Sequence, residues 1–194
     1  MNLPNKLTLL RVFLIPFFLL FMYLDISFHY LVALIIFAAA SITDALDGKI
    51  ARSQNLVTNF GKFLDPLADK VLVISALAVF VEVSEIHMGA IPLIIISARE
   101  FMVSGLRLLA ADSGVVVAAG MWGKLKTAFT MVAIIASLVW LSVRYDFGFS
   151  FQQSVDEIVD NWIIPALIWI STVLTIISGL VYLKGYWHLI DSDK

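Results

Sequence analysis

The stretch Ser41–Lys70, SITDALDGKIARSQNLVTNFGKFLDPLADK, decides the fold, because it places four aspartates and four basic residues between segments that are almost wholly apolar. Asp44 and Asp47 lie three residues apart, and Asp65 and Asp69 lie four apart. Side chains at these spacings share one face of an α-helix. The sequence therefore predicts two helices that each present a pair of carboxylates on one face.

The residues between the two pairs predict a turn that would fold these helices against each other. Asn59–Lys62 contains a glycine, and a proline such as Pro66 is tolerated in the first turn of a helix. That position would put Asp65 near the N-cap of the second helix. We expect two antiparallel helices joined at Asn59–Lys62, with their carboxylates face to face.

The composition is that of a membrane protein. The 194 residues are 61% hydrophobic and only 14% charged, whereas soluble domains carry about 25% charged residues. A membrane-spanning helix needs about 20 mostly apolar residues. We expect a single domain over residues 1–194, an all-α integral membrane protein with six transmembrane helices. The predicted spans are Leu7–Leu24, Tyr30–Leu46, Leu64–Val81, Met88–Ala111, Leu125–Val143 and Trp162–Leu183.

The distribution of basic residues predicts the orientation. With six spans, the two termini and the second and fourth loops share one side of the membrane. Twelve of the 13 Lys and Arg residues fall on that side, and Arg144 is left on the other. Basic residues are enriched in cytoplasmic segments. We therefore expect both termini and the charged stretch to face the cytoplasm, in a multi-pass protein of the cell membrane.

Charge and cysteine content exclude several functions. The formal net charge is −2, so we expect no nucleic acid partner, since such a partner favours a surplus of basic residues. The chain contains no cysteine, which excludes a disulfide framework, a thiol nucleophile and a cysteine zinc site. The chemistry has to come from other polar side chains.

Four carboxylates close together at membrane depth need compensating charge. An aspartate in the middle of a membrane helix costs about 2.5–3.5 kcal/mol on insertion scales. Mg²⁺ prefers oxygen ligands and is commonly held by a few carboxylates together with substrate phosphates. Two such ions can clamp a phosphoryl group during its displacement. Gly48 and Ala51 would let a bulky substrate approach the helix, and Arg52 could pair with phosphate oxygens. The stretch therefore predicts a dimetal phosphoryl-transfer site.

The aspartates belong to a longer pattern, D-x2-D-G-x2-A-R-x8-G-x3-D-x3-D, which runs from Asp44 to Asp69. This pattern resembles the signature of the CDP-alcohol phosphatidyltransferases, integral membrane enzymes that replace CMP on a CDP-linked lipid with a small alcohol. The resemblance implies two divalent cations, Mg²⁺ or Mn²⁺, with Asp44 and Asp65 bridging both. Asp47 would complete one site and Asp69 the other. Asp69 would also act as the general base.

The same resemblance implies which residues hold the donor lipid, CDP-diacylglycerol. These residues lie in the N-terminal segment and in the charged stretch. They are Asn5, Thr8, Asp47, Gly48, Ala51, Arg52, Thr58 and Gly61. No serine, cysteine or histidine is set to act as a nucleophile, so we expect a direct displacement. The resemblance further implies a homodimer surrounded by membrane lipids.

A second polar stretch, Ser97–Thr130, predicts the acceptor. Arg99 and Arg107 lie eight residues apart, on similar faces of the fourth predicted span. Cations inside apolar helices are costly without anionic partners, so they predict a pocket for a phosphate on the acceptor. The candidate phosphate ligands are Arg99, Arg107, Lys126, Arg11 and Lys62. The arrangement ARE…SGLR…GKLKT is similar to the bacterial branch of the family that uses glycerol 3-phosphate.

Several alternatives remain open. Arg99 could pair with Glu100 or an aspartate, or the basic side chains could reach lipid phosphates. The acceptor could be inositol phosphate or serine. An ion-coupled transporter would also place carboxylates within the membrane, although the charges here concentrate near one face. An intramembrane aspartyl protease would need only one carboxylate pair and no Arg52.

Overall fold

The computed structural model describes residues 3–54, 59–112 and 120–187. Within these ranges it describes no side chain at 3–4, 45–54, 59–63, 65–66 or 111–112. The described backbone is almost entirely helical and contains no strand, so the prediction of an all-α protein is confirmed.

Six of the helices in the described ranges have 21 residues or more, and one is short. They are α1 Leu3–Tyr23, α2 His29–Gln54, α3 Asn59–Glu82, α4 Ala90–Asp112, α5 Met121–Leu141, α6 Gln153–Ile158 and α7 Ile164–Tyr186. A π-helical segment, Ser142–Asp146, continues α5, and a second, Val159–Ile163, joins α6 to α7. At 1.5 Å per residue, a 21-residue helix is about 31 Å long, close to the thickness of a bilayer's hydrocarbon core.

Three helical stretches of the described chain are long and apolar enough to cross a membrane: Asn5–Tyr23, Met121–Asp146 and Gln153–Tyr186. A shorter apolar helix covers His29–Asp44. Each of the six predicted spans overlaps one long helix, but crossing of the bilayer by all six, and their orientation, stay predictions.

The helices form two neighbouring groups. α1 packs along α2 and also against α3, while α7 packs against α5 and α4, and α2 touches α5. Phe18, Phe37 and Phe80 are fully buried between the helices, and the Phe18 and Phe37 rings lie 5.7 Å apart. Other large apolar side chains face outward, with Leu108 74% exposed and Trp162 73% exposed. Apolar residues on both the inside and the outside fit a helical protein surrounded by lipid.

The N-terminus of α2 is capped by a residue from a distant part of the chain. Asp146 accepts hydrogen bonds from the backbone N–H groups of Leu31 at 2.6 Å and Tyr30 at 3.4 Å. The first N–H groups of a helix have no partner within the helix, and a carboxylate also complements the positive end of the helix dipole. Gly148, at a φ of 63°, turns the chain away just after this cap.

The predicted turn at Asn59–Lys62 is wrong, because those residues form the first turn of α3. Pro66 consequently lies beyond the first turn of that helix, so Asp65 is not near the N-cap. A glycine such as Gly61 costs only about 1 kcal/mol in a helix, which does not prevent the helix from starting earlier. α2 ends at Gln54, and the residues that connect it to α3 lie outside the described ranges.

Candidate active site

The aspartates of the charged stretch lie on two neighbouring helices, Asp44 and Asp47 on α2 and Asp65 and Asp69 on α3. The side chain of Asp44 is 44% exposed, and Asp69 is also exposed. Two helices of the described chain therefore each supply an accessible carboxylate. The side chains of Asp47 and Asp65 are not among those described.

The polar residues of α1 lie on one buried face. Asn5, Thr8 and Arg11 are spaced by three residues, and all three are buried. The guanidinium Nη1 of Arg11 lies 2.8 Å from Oδ1 of Asp44. Buried charges need partners, and this ion pair supplies one for Arg11 while it links α1 to α2 at Asp44. Arg11, one of the candidate phosphate ligands, is thus in contact with a predicted metal ligand.

The structure brings two other candidate phosphate ligands, Arg99 and Arg107 of α4, to one tyrosine of α7. The carbon at the centre of the Arg99 guanidinium lies 5.3 Å from the ring centroid of Tyr182, and that of Arg107 lies 5.8 Å away. Arg107 Nη2 also donates to the Tyr182 hydroxyl at 3.3 Å. A cation over an aromatic face is stabilised by the ring's electrostatic field. Tyr182 therefore contacts both arginines.

Tyr182 also connects this cluster to the start of α5. Its hydroxyl accepts a hydrogen bond from the backbone N–H of Gly120 at 2.9 Å. A Cβ atom on Gly123 would lie 3.4 Å from the same hydroxyl and 3.6 Å from Arg99 Nη2. Both distances are those of ordinary van der Waals contact, so Tyr182 and Arg99 pack directly against α5 at Gly123.

Arg99 makes a second polar contact with α7, through Ser178. Its Nη2 donates to Ser178 Oγ at 2.6 Å, and Arg99 itself is buried. A Cβ on Gly179 would come within 3.3 Å of Arg99 Cγ, which is tighter than ordinary van der Waals contact. The arginine side chain therefore lies directly against the backbone of α7.

Lys126 of α5 pairs with Glu100 of α4, and both side chains are largely buried. Glu100 Oε1 also lies 3.6 Å from Arg99 Nη1. The alternative in which Arg99 pairs with Glu100 is thus present, as an ion pair at 3.6 Å. Glu100 thus balances part of the positive charge that α4 and α5 bring together.

A small cavity of about 30 Å³ is lined by the predicted base, Asp69, and by one predicted phosphate ligand, Lys126. It is lined by Asp69, Lys70 and Val73 of α3, Glu100 of α4, and Lys126, Thr127, Thr130 and Met131 of α5. Asp69 and Lys126, which are 57 residues apart in the chain, therefore face the same space.

Sequence reasoning missed two residues of this region, Ser178 and Tyr182, and considered Glu100 only as a partner of Arg99. A signal was available in the sequence. Ser171, Thr175, Ser178 and Tyr182 follow one face of an otherwise apolar helix, and all are buried. A polar stripe within a membrane-type helix indicates contact with other polar groups and not with lipid.

For the other predicted site residues, the structure describes at most the backbone. Asp47, Gly48, Ala51 and Arg52 belong to α2, and Gly61, Lys62 and Asp65 belong to α3, but their side chains are not among those described. Thr58 lies outside the described ranges altogether. Their roles in binding metal, donor lipid or acceptor stay predictions.

The aspartates suit a divalent-cation site by the chemistry of their donor atoms. Mg²⁺ and Mn²⁺ favour carboxylate oxygens, and Asp44 and Asp69 both present accessible ones. Among the side chains that the structure describes, no group of three or more potential metal ligands comes together. Asp47 and Asp65, the other two predicted ligands, are not among those side chains.

Comparison with known proteins identifies the family of this chain. The family model of the CDP-alcohol phosphatidyltransferases matches residues 1–177. The chain belongs to this family.

Individual relatives cover nearly the whole chain. A protein of Bacillus subtilis is 40% identical and covers 100% of this chain and 99% of its own length. A protein of Rickettsia typhi is 40% identical, with 95% and 96% covered, and one of Haemophilus influenzae is 38% identical, with 94% and 92% covered. Each is named CDP-diacylglycerol–glycerol-3-phosphate 3-phosphatidyltransferase.

Proposed function

We propose that this protein transfers the phosphatidyl group of CDP-diacylglycerol to glycerol 3-phosphate, forming phosphatidylglycerophosphate and releasing CMP. The observation that carries the proposal is that Asp69, the proposed base, and Lys126, a proposed phosphate ligand, line the same small cavity. The names of the full-length relatives support the same reaction.

Asp44, Asp47, Asp65 and Asp69 would hold two divalent cations, Mg²⁺ or Mn²⁺. When bound, the ions supply charge neutralisation for the diphosphate and for the leaving group. The spacing of the aspartates and the exposure of Asp44 and Asp69 support this assignment.

The donor lipid would be held by α1 and α2. Asn5 and Thr8 face inward next to Arg11, whose partner is Asp44, so the nucleotide end of CDP-diacylglycerol would lie beside α1. Arg52 would pair with diphosphate oxygens. The remaining proposed contacts are Asp47, Gly48, Ala51, Thr58 and Gly61. The acyl chains would extend into the surrounding lipid.

The acceptor would lie between α3, α4 and α5. Arg99, Arg107 and Lys126 would bind the phosphate of glycerol 3-phosphate, with Arg11 and Lys62 as further candidates. The Ser178 and Tyr182 contacts support this role, because they hold the arginine side chains in fixed positions before the substrate arrives.

The reaction would be a direct displacement. Asp69 takes the proton from the 1-hydroxyl of glycerol 3-phosphate, and the hydroxyl oxygen forms a bond to the phosphorus that carries diacylglycerol. The bond from this phosphorus to the CMP oxygen breaks, and CMP leaves with the electron pair. Catalysis then depends on positioning and on charge stabilisation, as in phosphoryl transfer generally.

We further propose six membrane spans with both termini in the cytoplasm, in one domain over residues 1–194 that forms a homodimer in the cell membrane. The three apolar helical stretches and the six long helices support the spans. The placement of 12 of 13 basic residues on one side supports the orientation.

The test is CMP release by the purified protein in detergent micelles containing CDP-diacylglycerol. We expect release with Mg²⁺ and glycerol 3-phosphate, and none after a chelator removes the metal. Release with inositol phosphate or serine alone would keep the family reaction and change the acceptor. A monodisperse protein that releases no CMP with any acceptor would contradict the enzymatic function.

A further inference from the structure

Glu100 is a carboxylate in a place where phosphate binding alone would not favour one. Its side chain is 15% exposed, and its Oε1 contacts Lys126 and lies 3.6 Å from Arg99 Nη1. These are two of the cations proposed to hold the acceptor phosphate. A phosphate bound by Arg99 and Lys126 would lie close to the Glu100 carboxylate, and two negative charges that close together repel each other. Its presence is explained if it recognises another group on the acceptor.

The cavity shows which part of the acceptor Glu100 would meet. Glu100 lines it together with Lys126 and Asp69. Asp69 and Glu100 are the two acidic residues of this lining. With the acceptor's phosphate at Lys126 and its reacting hydroxyl at Asp69, Glu100 is the carboxylate left to face the middle carbon. In glycerol 3-phosphate, that carbon carries the 2-hydroxyl. An ionised carboxylate only accepts hydrogen bonds, and a hydroxyl can donate one.

We propose that Glu100 is a specificity-determining residue that accepts a hydrogen bond from the 2-hydroxyl of glycerol 3-phosphate. This inference rests on the proposed function. Before the acceptor binds, Glu100 balances the charge of Lys126. Once the phosphate pairs with Lys126, the carboxylate is available to the hydroxyl. A site built to bind a hydroxyl strongly rejects analogues that lack it, because a buried polar group is then left unpaired.

The probe is 3-hydroxypropyl phosphate, which keeps the phosphate and the reacting primary hydroxyl but lacks the middle hydroxyl. We expect the wild-type protein to prefer glycerol 3-phosphate in kcat/KM by about tenfold to a hundredfold, as is typical of hydrogen bonds to charged groups. Glu100→Gln preserves the shape and should lower this preference several-fold. Glu100→Met removes the acceptor atoms and should bring the two substrates to near-equal kcat/KM.

A merely structural role for Glu100 predicts a different result. If it only positioned Lys126, its replacement would lower turnover of both substrates by the same factor and leave their ratio unchanged. Glu157→Gln, which changes an exposed carboxylate of α6, is the matched control and should leave the ratio at its wild-type value.

The outcomes separate this inference from the proposed function. A wild-type protein that uses both substrates equally overturns the role of Glu100 and leaves the proposed reaction intact, and this measurement needs no variant. A preference that stays at its full wild-type value in either Glu100 variant also overturns it. Failure of the wild-type protein to release CMP with any acceptor overturns the proposed function itself.

Discussion

Arg11 of α1 and Asp44 of α2 form an ion pair between the two helices, with Nη1 and Oδ1 2.8 Å apart. The two side chains differ sharply in environment, because Arg11 is completely buried and Asp44 is 44% exposed. The arginine is thus fixed by the protein, while the carboxylate keeps an accessible surface. This asymmetry suits a carboxylate that has to be held in place and still reach a ligand.

The first prediction concerns this pair. Arg11→Ala removes a fully buried side chain together with its charge, so we expect a loss of about 2–4 kcal/mol in stability. The measurement is the thermal unfolding midpoint of the detergent-solubilised protein. Lys184→Ala, at an exposed position of α7, is the control and should shift the midpoint little. Equal shifts in the two variants would show that the Arg11–Asp44 contact contributes nothing specific.

The second prediction concerns the tyrosine between the two arginines. Tyr182→Phe keeps the ring under Arg99 and Arg107 but removes the hydroxyl that accepts from Arg107 and from the Gly120 N–H. At about 1 kcal/mol per lost hydrogen bond, we expect the KM for glycerol 3-phosphate to rise roughly five- to thirtyfold. The KM for CDP-diacylglycerol should stay within about twofold, and steady-state kinetics with each substrate varied in turn measures both.

Tyr186→Phe is the matched control for this variant, since Tyr186 lies one turn further along α7 and its ring stacks on Tyr182 at 6.3 Å. It should leave both KM values near those of the wild type. If Tyr182→Phe raised both KM values equally, Tyr182 would serve general stability and not the position of the arginines.

The third prediction concerns the close approach of Arg99 to α7. In Gly179→Ala the new Cβ would lie 3.3 Å from Arg99 Cγ and 3.4 Å from the Met102 methyl carbon, so the arginine has to shift. We expect kcat/KM for glycerol 3-phosphate to fall about tenfold, because small misplacements of positioning groups are costly. The control is Gly185→Ala on the same helix, where a Cβ meets nothing within 4 Å. Full activity in the Gly179 variant would mean that the position of Arg99 is not critical.

The fourth prediction separates stability from activity. Asp146→Ala removes the carboxylate that caps α2, so we expect a loss of about 1–2 kcal/mol in stability. The cap at Tyr30 lies about 20 Å along α2 from Asp44, and both KM values should therefore be unchanged below the unfolding temperature. Thermal unfolding measures the loss of stability, and steady-state kinetics on the same preparation measures the two KM values. A changed KM would show that the Asp146 cap also affects the active site.

The fifth prediction concerns the proposed base. Asp69→Asn keeps the shape of the side chain but cannot take a proton, so turnover should fall by 100-fold or more, within the range of about 10²–10⁴ typical of general bases. Binding of CDP-diacylglycerol, followed by equilibrium titration, should be weakened less. Asp25→Asn, at an exposed aspartate beyond the end of α1, should keep wild-type turnover. Loss of metal-dependent lipid binding in Asp69→Asn would instead assign Asp69 mainly to metal binding.

Much of the fold could be predicted from local sequence. The six apolar segments each correspond to a helix. An apolar segment in lipid has to satisfy its own backbone hydrogen bonds, and a helix does so between residues that are close in the chain. The predicted start of α3 is several residues too late, since Gly61 indicates a turn and Pro66 indicates the first turn of a helix. The energetic cost of a glycine is small enough for a helix to continue through it.

The sequence by itself determined the helical class, through its composition and apolar segments, and the family, through the motif that runs from Asp44 to Asp69. It also determined that two aspartates lie on each of α2 and α3. Only the tertiary structure decided that Arg99 meets Ser178, that both arginines meet Tyr182, and that Glu100 shares a cavity with Asp69. Each of these contacts joins residues of two different helices. They depend on how each helix is rotated and packed against its neighbours, which the periodicity of a single segment does not specify.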